Sequence, residues 1–151
     1  MPNITHKIGV SAARMSVLDA LTTLNGLCGW WTSTTTGVPA LGGTILFRFD
    51  KQGLDMSVET QTDTDVTWRC TSGPDEWLPT TIEFHLEDDG RNGTALYFTH
   101  RNWAEENPFH YHCSMKWASF LLSLKEFVET GQGRPFPDDI QIEGPVGRRV
   151  S

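Results

Sequence analysis

Apolar and polar residues alternate in short runs over most of this chain, then switch to helical spacing near its end. Ile4 to Val10 sets Ile4, His6, Ile8 and Val10 against Thr5, Lys7 and Gly9, the period-two signature of a half-buried strand. The pattern returns in quick succession further on. Thr44 to Asp50 opposes Ile45, Phe47 and Phe49 to Leu46 and Arg48, and Leu54 to Thr62 opposes Leu54, Met56 and Val58 to Asp55, Ser57 and Glu59. Val66 to Thr71 carries Val66, Trp68 and Cys70 on one side. Thr80 to Glu87 carries Ile82, Phe84 and Leu86, and Thr94 to Trp103 carries Leu96, Phe98 and His100. Turn chemistry separates these runs at Lys51-Gln52-Gly53, Asp63-Thr64-Asp65, Ser72-Gly73-Pro74-Asp75 and Asp88 to Gly93. Such short connections imply antiparallel neighbours with one covered face and one wet face.

Helical spacing takes over at Pro108. With Cys113 at zero and about 100° per residue, Phe109, His110, Cys113, Trp117, Phe120, Leu121, Leu124, Phe127 and Val128 fall within roughly 120° of arc. Lys116, Ser119, Ser123, Lys125, Glu126 and Glu129 fall outside it. Pro108 suits a first helical turn and Gly131 a C-terminal cap with positive φ, so one helix is predicted over Pro108 to Thr130. Between the first strand and the others, the glycine-broken run from Ser11 to Trp31 reads as two short helices, over 12–22 and 24–29. Ser11 is placed to cap the first, and Gly26 and Gly29 to loosen the second. Thr32 to Thr36 makes at most a marginal strand. The fold predicted is α+β: a curved antiparallel sheet of about six to seven strands wrapped on a long C-terminal helix. The 151 residues read as one domain, with 131–151, rich in proline and glycine, as an extended tail.

Composition narrows the partners. A net charge of −7 speaks against nucleic acid, as does the lack of any basic run. No apolar run approaches the ~20 residues of a membrane span, and no secretion signal is evident. Cys28, Cys70 and Cys113 form no CxxC pair, which fits reduced thiols in a cytoplasm. Asn92-Gly93-Thr94 reads as a turn rather than a glycosylation site.

The carrying segments of a family resemblance are ALTTLNGLCGWW at 20–31, VTWRCTSGPDEWLPTTIEFHL at 66–86, LYFTHRNW at 96–103 and WASFLLSLKEFVETGQGRP at 117–135. In order and spacing they resemble the START-like (SRPBCC), helix-grip superfamily, in its bacterial branch related to the activator of the heat-shock protein 90 ATPase. The resemblance implies a cavity between sheet and long helix. It implies no shared catalytic residue, since this superfamily mixes binding modules, polyketide-cyclase-like enzymes and co-chaperone-like domains. A chaperone contact rests on the branch's name alone.

The inner-face aromatics are the main functional signal. Trp31, Phe47, Met56, Trp68, Phe84, Phe98, Trp103, Cys113 and Trp117 read as walls for a small hydrophobic or aromatic ligand, and equally as core filling. His100 lies on that face by alternation, either as the pocket's polar contact or as a core histidine bonded to a backbone carbonyl. The enzyme alternative, a cyclase- or hydrolase-type reaction, would use His100 as acid or base. His110, His112 and Cys113 resemble a metal cluster in sequence, but His110 and His112 sit about 200° apart on the helix, so no metal or cofactor is expected. No GxSxG and no phosphate loop occur; Gly37 to Gly43 lacks the lysine. Glu105 and Glu106 read as solvated helix-start charges. Met115 and Leu122 point away from the core and mark a homodimer patch or ordinary exposed residues.

Overall fold

Seven strands form one antiparallel sheet in the computed structural model of the chain, which describes residues 2–50 and 52–145. They are β1 (Ile4–Val10), β2 (Thr35–Gly37), β3 (Thr44–Phe49), β4 (Gln52–Gln61), β5 (Asp65–Ser72), β6 (Thr81–Asp88) and β7 (Thr94–Arg101). The order across the sheet is β1-β7-β6-β5-β4-β3-β2, so the six successive strands β2 to β7 form a meander and β1 returns to pair with β7, with Ile4 opposite His100. The expected alternation is realised: Ile45, Phe47, Met56, Val58, Val66, Trp68, Ile82, Phe84, Leu96 and Phe98 are all buried on one face. Two register shifts in β4, between Asp55 and Met56 and between Val58 and Thr60, add local twist. The buried face is closed by helices α1 (Arg14–Thr22), α2 (Leu24–Trp30) and α3 (Pro108–Thr130). This is the predicted helix-grip architecture.

The long helix has the predicted bounds. Asn107 caps it by accepting from the His110 N–H at 3.0 Å, Pro108 occupies its first turn, and Gly131 ends it at φ 87°. Its buried side chains are His110, Cys113, Trp117, Phe120, Leu121, Ser123 and Leu124. Ser123 departs from the wheel prediction. Its hydroxyl donates to the Trp30 carbonyl at 2.8 Å and accepts from the Arg134 N–H at 2.7 Å, so chain segments outside the helix cover it. Leu124 is fully buried and Leu122 is 54% exposed. Leu124→Ala is therefore expected to destabilise by about 3 kcal/mol, and Leu122→Ala by under about 1 kcal/mol, in urea denaturation. Equal losses would mean that the helix is rotated from this orientation or that Leu122 is buried in a dimer.

Local departures have tertiary causes. Ser11 does not cap α1; the N-cap is Ala13, without a side-chain bond, and the Ser11 N–H instead donates to the Glu129 carboxylate at 2.7 Å. Gly26 and Gly29 do not loosen α2. A Cβ on Gly26 would meet the Ala20 backbone at 2.6 Å, and one on Gly29 would strike the Phe127 ring, so both allow close packing. The marginal strand is Thr35–Gly37 rather than 32–36. Gln52 and Gly53 already pair with Phe49 and Arg48, which narrows the turn expected at 51–53; Lys51 lies outside the described residues. The loop after β5 holds a short 3-10 turn, Asp75–Trp77, that buries Trp77. β7 ends at Arg101, and Asn102 with φ 76° turns the chain before Trp103.

The tail crosses the molecule as a strap over the described residues 131–145; 146–151 lie outside them. The Phe136 N–H donates to the Trp31 carbonyl at 2.7 Å, and the Phe136 carbonyl accepts from the Ser33 N–H at 3.1 Å. Among the described residues, no helix is long and apolar enough to cross a membrane.

Candidate functional site

A cleft of about 850 Å³ opens between the first half of α3, the β3–β4 hairpin, the 3-10 turn and the strap. Each wall arises from a different element. The helix stripe contributes Phe109, Cys113, Trp117 and Phe120, and the end of α2 contributes Trp31. Alternation along the hairpin contributes Phe49 and Leu54, the 3-10 turn contributes Trp77, and the strap contributes Phe136. The polar groups that line it are Asp50, Gln52, His112, Lys116 and Asp139.

Of the residues singled out from the sequence, Trp31, Cys113 and Trp117 line this cleft. Phe47, Met56, Trp68, Phe84 and Phe98 lie in the packed interior behind it, each no more than 1% exposed. Trp31 separates the two zones: one side of its ring packs on Phe47 (centroids 4.2 Å) and Trp68 (6.1 Å). Alternation identifies the inner face of a sheet, and here that face is much larger than the cleft. Trp103 is buried away from the cleft, between His100 (5.0 Å) and His110 (5.0 Å).

His100 is fully buried and does not line the cleft. The Trp117 indole N–H, which can only donate, gives its hydrogen to His100 Nδ1 at 3.0 Å. The proton therefore sits on Nε2, which donates to the Thr80 hydroxyl at 2.8 Å. That hydroxyl donates to the Trp77 carbonyl at 2.6 Å. Both ring nitrogens are satisfied, so the imidazole is a neutral brace joining α3, β7 and the 3-10 turn. Burial pushes its pKa down to about 3, and the nearby His110 adds a smaller push in the same direction. This corrects the reading of His100 as the polar contact of the pocket. Its partners are another side chain on α3 and a threonine before β6, which no period in one strand reveals.

The polar side of the cleft belongs to α3 and the strap. The ammonium of Lys116 pairs with the buried carboxylate of Asp139 and donates to the Ile140 carbonyl at 3.0 Å. One turn earlier, His112 pairs with Glu143. Asp139 Oδ1, Trp103 Nε1 and His110 Nε2 are buried and have no hydrogen-bond partner among the described residues. His110 and His112 thus point to different surroundings, the Trp103 ring and the strap. Cys113 is a poor nucleophile: burial pushes its thiol up to about 12, and the Trp77 indole opposes this only weakly. All three cysteines are free thiols.

Trp77, Phe136, Lys116 and Asp139 were missed as cleft residues. Trp77 and Phe136 lie in segments without periodicity. A large ring isolated in a polar loop, as in SGPDEW, and one held between prolines, as in PFP, were the available signals.

A sheet closed on one long helix, with an aromatic cleft at the mouth of the grip, is the helix-grip architecture of START-like domains. The chain belongs to the Activator of Hsp90 ATPase homolog 1-like protein family, whose pattern matches residues 11–129. It is 43% identical to the Aha1 dimer of Colwellia psychrerythraea, known from its solution structure, over 88% of this chain and all of that one, with a TM-score of 0.81. The crystal structure of a Staphylococcus saprophyticus protein is 20% identical over 87% of this chain and 95% of that one, with a TM-score of 0.72. CalU16 from Micromonospora echinospora is 19% identical over 83% and 73%, with a TM-score of 0.68. These last two share the fold. No curated protein matches the chain.

Proposed function

We propose that this domain binds a small, planar, largely apolar ligand in the aromatic cleft, and that His100 does no chemistry there. The observation that carries the reading is the set of rings around one open volume. Trp31, Trp77, Trp117, Phe49, Phe109, Phe120 and Phe136 border about 850 Å³, within the ~300–1,000 Å³ usual for small-molecule sites. Offset and edge-on contacts with indoles favour a flat aromatic guest. A polar group on that guest would meet Lys116. The two satisfied nitrogens of His100 support binding over acid–base catalysis by that residue.

Titration with naphthol, a flavonol and oleate tests this. Three tryptophans border the cleft, so a bound aromatic guest is expected to quench intrinsic fluorescence and raise the melting temperature. Phe120→Ala is expected to weaken binding about tenfold, a loss of roughly 1.4 kcal/mol. The reading fails if no member of the panel alters fluorescence or melting.

We also infer that the chain associates with a copy of itself. The solution dimer of the Colwellia relative supports this.

A further inference from the structure

The outward face of α3 is apolar where a solvated helix face is normally charged. Nine large apolar side chains are exposed among the described residues, and four of them, Tyr111, Met115, Leu122 and Ile140, gather on this side of the molecule. Tyr111, Met115, Ala118 and Leu122 follow each other at spacings of four, three and four residues, which places them in one stripe along the helix. The stripe lies about 180° from Cys113 and the core. Ile140, on the strap, shares with Leu122 a small groove of about 210 Å³ that Ser119 and Ser123 also line. Single exposed apolar residues are ordinary; a concentration of them on one face marks an interface.

We propose that this stripe is the surface on which two copies of the chain pack, α3 antiparallel to α3 about a two-fold axis beside Ala118. The inference rests on the self-association inferred above and names its surface. A two-fold contact uses the same patch twice, so the patch must complement itself. This one does. Met115 and Leu122 stand on either side of Ala118 and Ser119, large residues flanking small ones. An axis between positions 118 and 119 sets each Met115 against the partner's Leu122. The small residues at the centre allow the helices to approach to about 8 Å. Tyr111 falls opposite the partner's Glu126, an exposed carboxylate that can accept from the phenol. Beyond the stripe, Lys125, Glu126 and Glu129 supply the polar rim that interfaces require. Because the stripe and the core face are on opposite sides of α3, the aromatic cleft remains accessible in the dimer.

Analytical ultracentrifugation of the full chain tests both levels of the inference. The unsubstituted protein is expected to sediment at twice its 16.9 kDa mass. Met115→Glu and Leu122→Glu place a charge in the apolar contact, and each is expected to weaken self-association at least about 100-fold. Leu41→Glu, at the exposed turn between β2 and β3, is expected to leave it unchanged. In an otherwise native chain, Ala118→Cys is expected to form a disulfide-linked dimer on mild oxidation, above the background of the unsubstituted protein. Val38→Cys, at an exposed position remote from the stripe, is not. A monomer at every concentration overturns self-association and this interface together. A dimer that tolerates both glutamates and does not crosslink through position 118 overturns the interface and leaves self-association to another surface. If a glutamate variant fails to fold, the crosslink decides.

Discussion

Trp31→Ala is expected to cost the fold about 4 kcal/mol and to lower the melting temperature by roughly 10 °C. Trp31 is 2% exposed and its ring contacts those of Trp30, Phe47, Phe49, Trp68, Trp117 and Phe120, with centroids 4.2–6.4 Å apart. It therefore ties α2, β3, β5 and α3 through one side chain. Truncation loses its transfer free energy and leaves a space that neighbours held by separate elements cannot close. Its backbone carbonyl anchors the strap through Phe136, and that bond survives the substitution. Trp31→Phe keeps much of the packing and is expected to cost about 2 kcal/mol. Denaturant unfolding at neutral pH measures both. A loss below about 1 kcal/mol for Trp31→Ala would mean that this ring is not the junction of the core.

His100→Ala is expected to cost a further amount of similar size, about 4 kcal/mol, by a different route. It opens a gap beside Trp77 and Trp103 and leaves the Trp117 N–H buried without its acceptor. His100→Gln can still accept from Trp117 and donate to Thr80, and is expected to recover about half of that loss. The pair also isolates a pH effect. The folded imidazole stays neutral down to about pH 3, while in the unfolded chain it protonates near its ordinary value of 6.5. Below that value the unfolded state binds the extra proton, so stability falls as pH falls. Between pH 7 and pH 5 the protein is expected to lose about 2 kcal/mol that His100→Gln does not lose. His85 pulls the other way, since its bonds to Asp65 and then Glu87 raise its pKa, but this contribution is common to both proteins and cancels. Parallel pH profiles for the two would contradict a neutral, buried His100.

The strands and the long helix were legible because each is written in a local period. Two-residue alternation placed Phe47, Trp68, Phe84 and Phe98 on the inner face, and the 3.6-residue stripe placed Cys113, Trp117 and Leu124 on the core side of α3. Gly131 and Pro108 marked the ends of that helix through backbone conformation alone. The short turns between strands fixed antiparallel neighbours. The pairing of β1 with β7 was not contained in any turn, since it joins residues nearly a hundred positions apart, Ile4 with His100.

The cleft was legible only in part. Its aromatic character followed from composition and face, and Trp31, Cys113 and Trp117 were correctly assigned to the inner side of the fold. Which inner rings border open space depends on how far the hairpin, the 3-10 turn and the strap stand from the helix. That is a distance between segments remote in sequence, and no residue pattern encodes it. Trp77 and Phe136 enter the wall because chain folding carries aperiodic loops there. Lys116 reads as an outward charge on the wheel until Asp139 of the strap reaches it. His100 has the position of a pocket residue and the bonds of a core one, because Trp117 and Thr80 converge on its two nitrogens. Local periodicity determined which way each side chain faces; only the tertiary arrangement decided what it meets there.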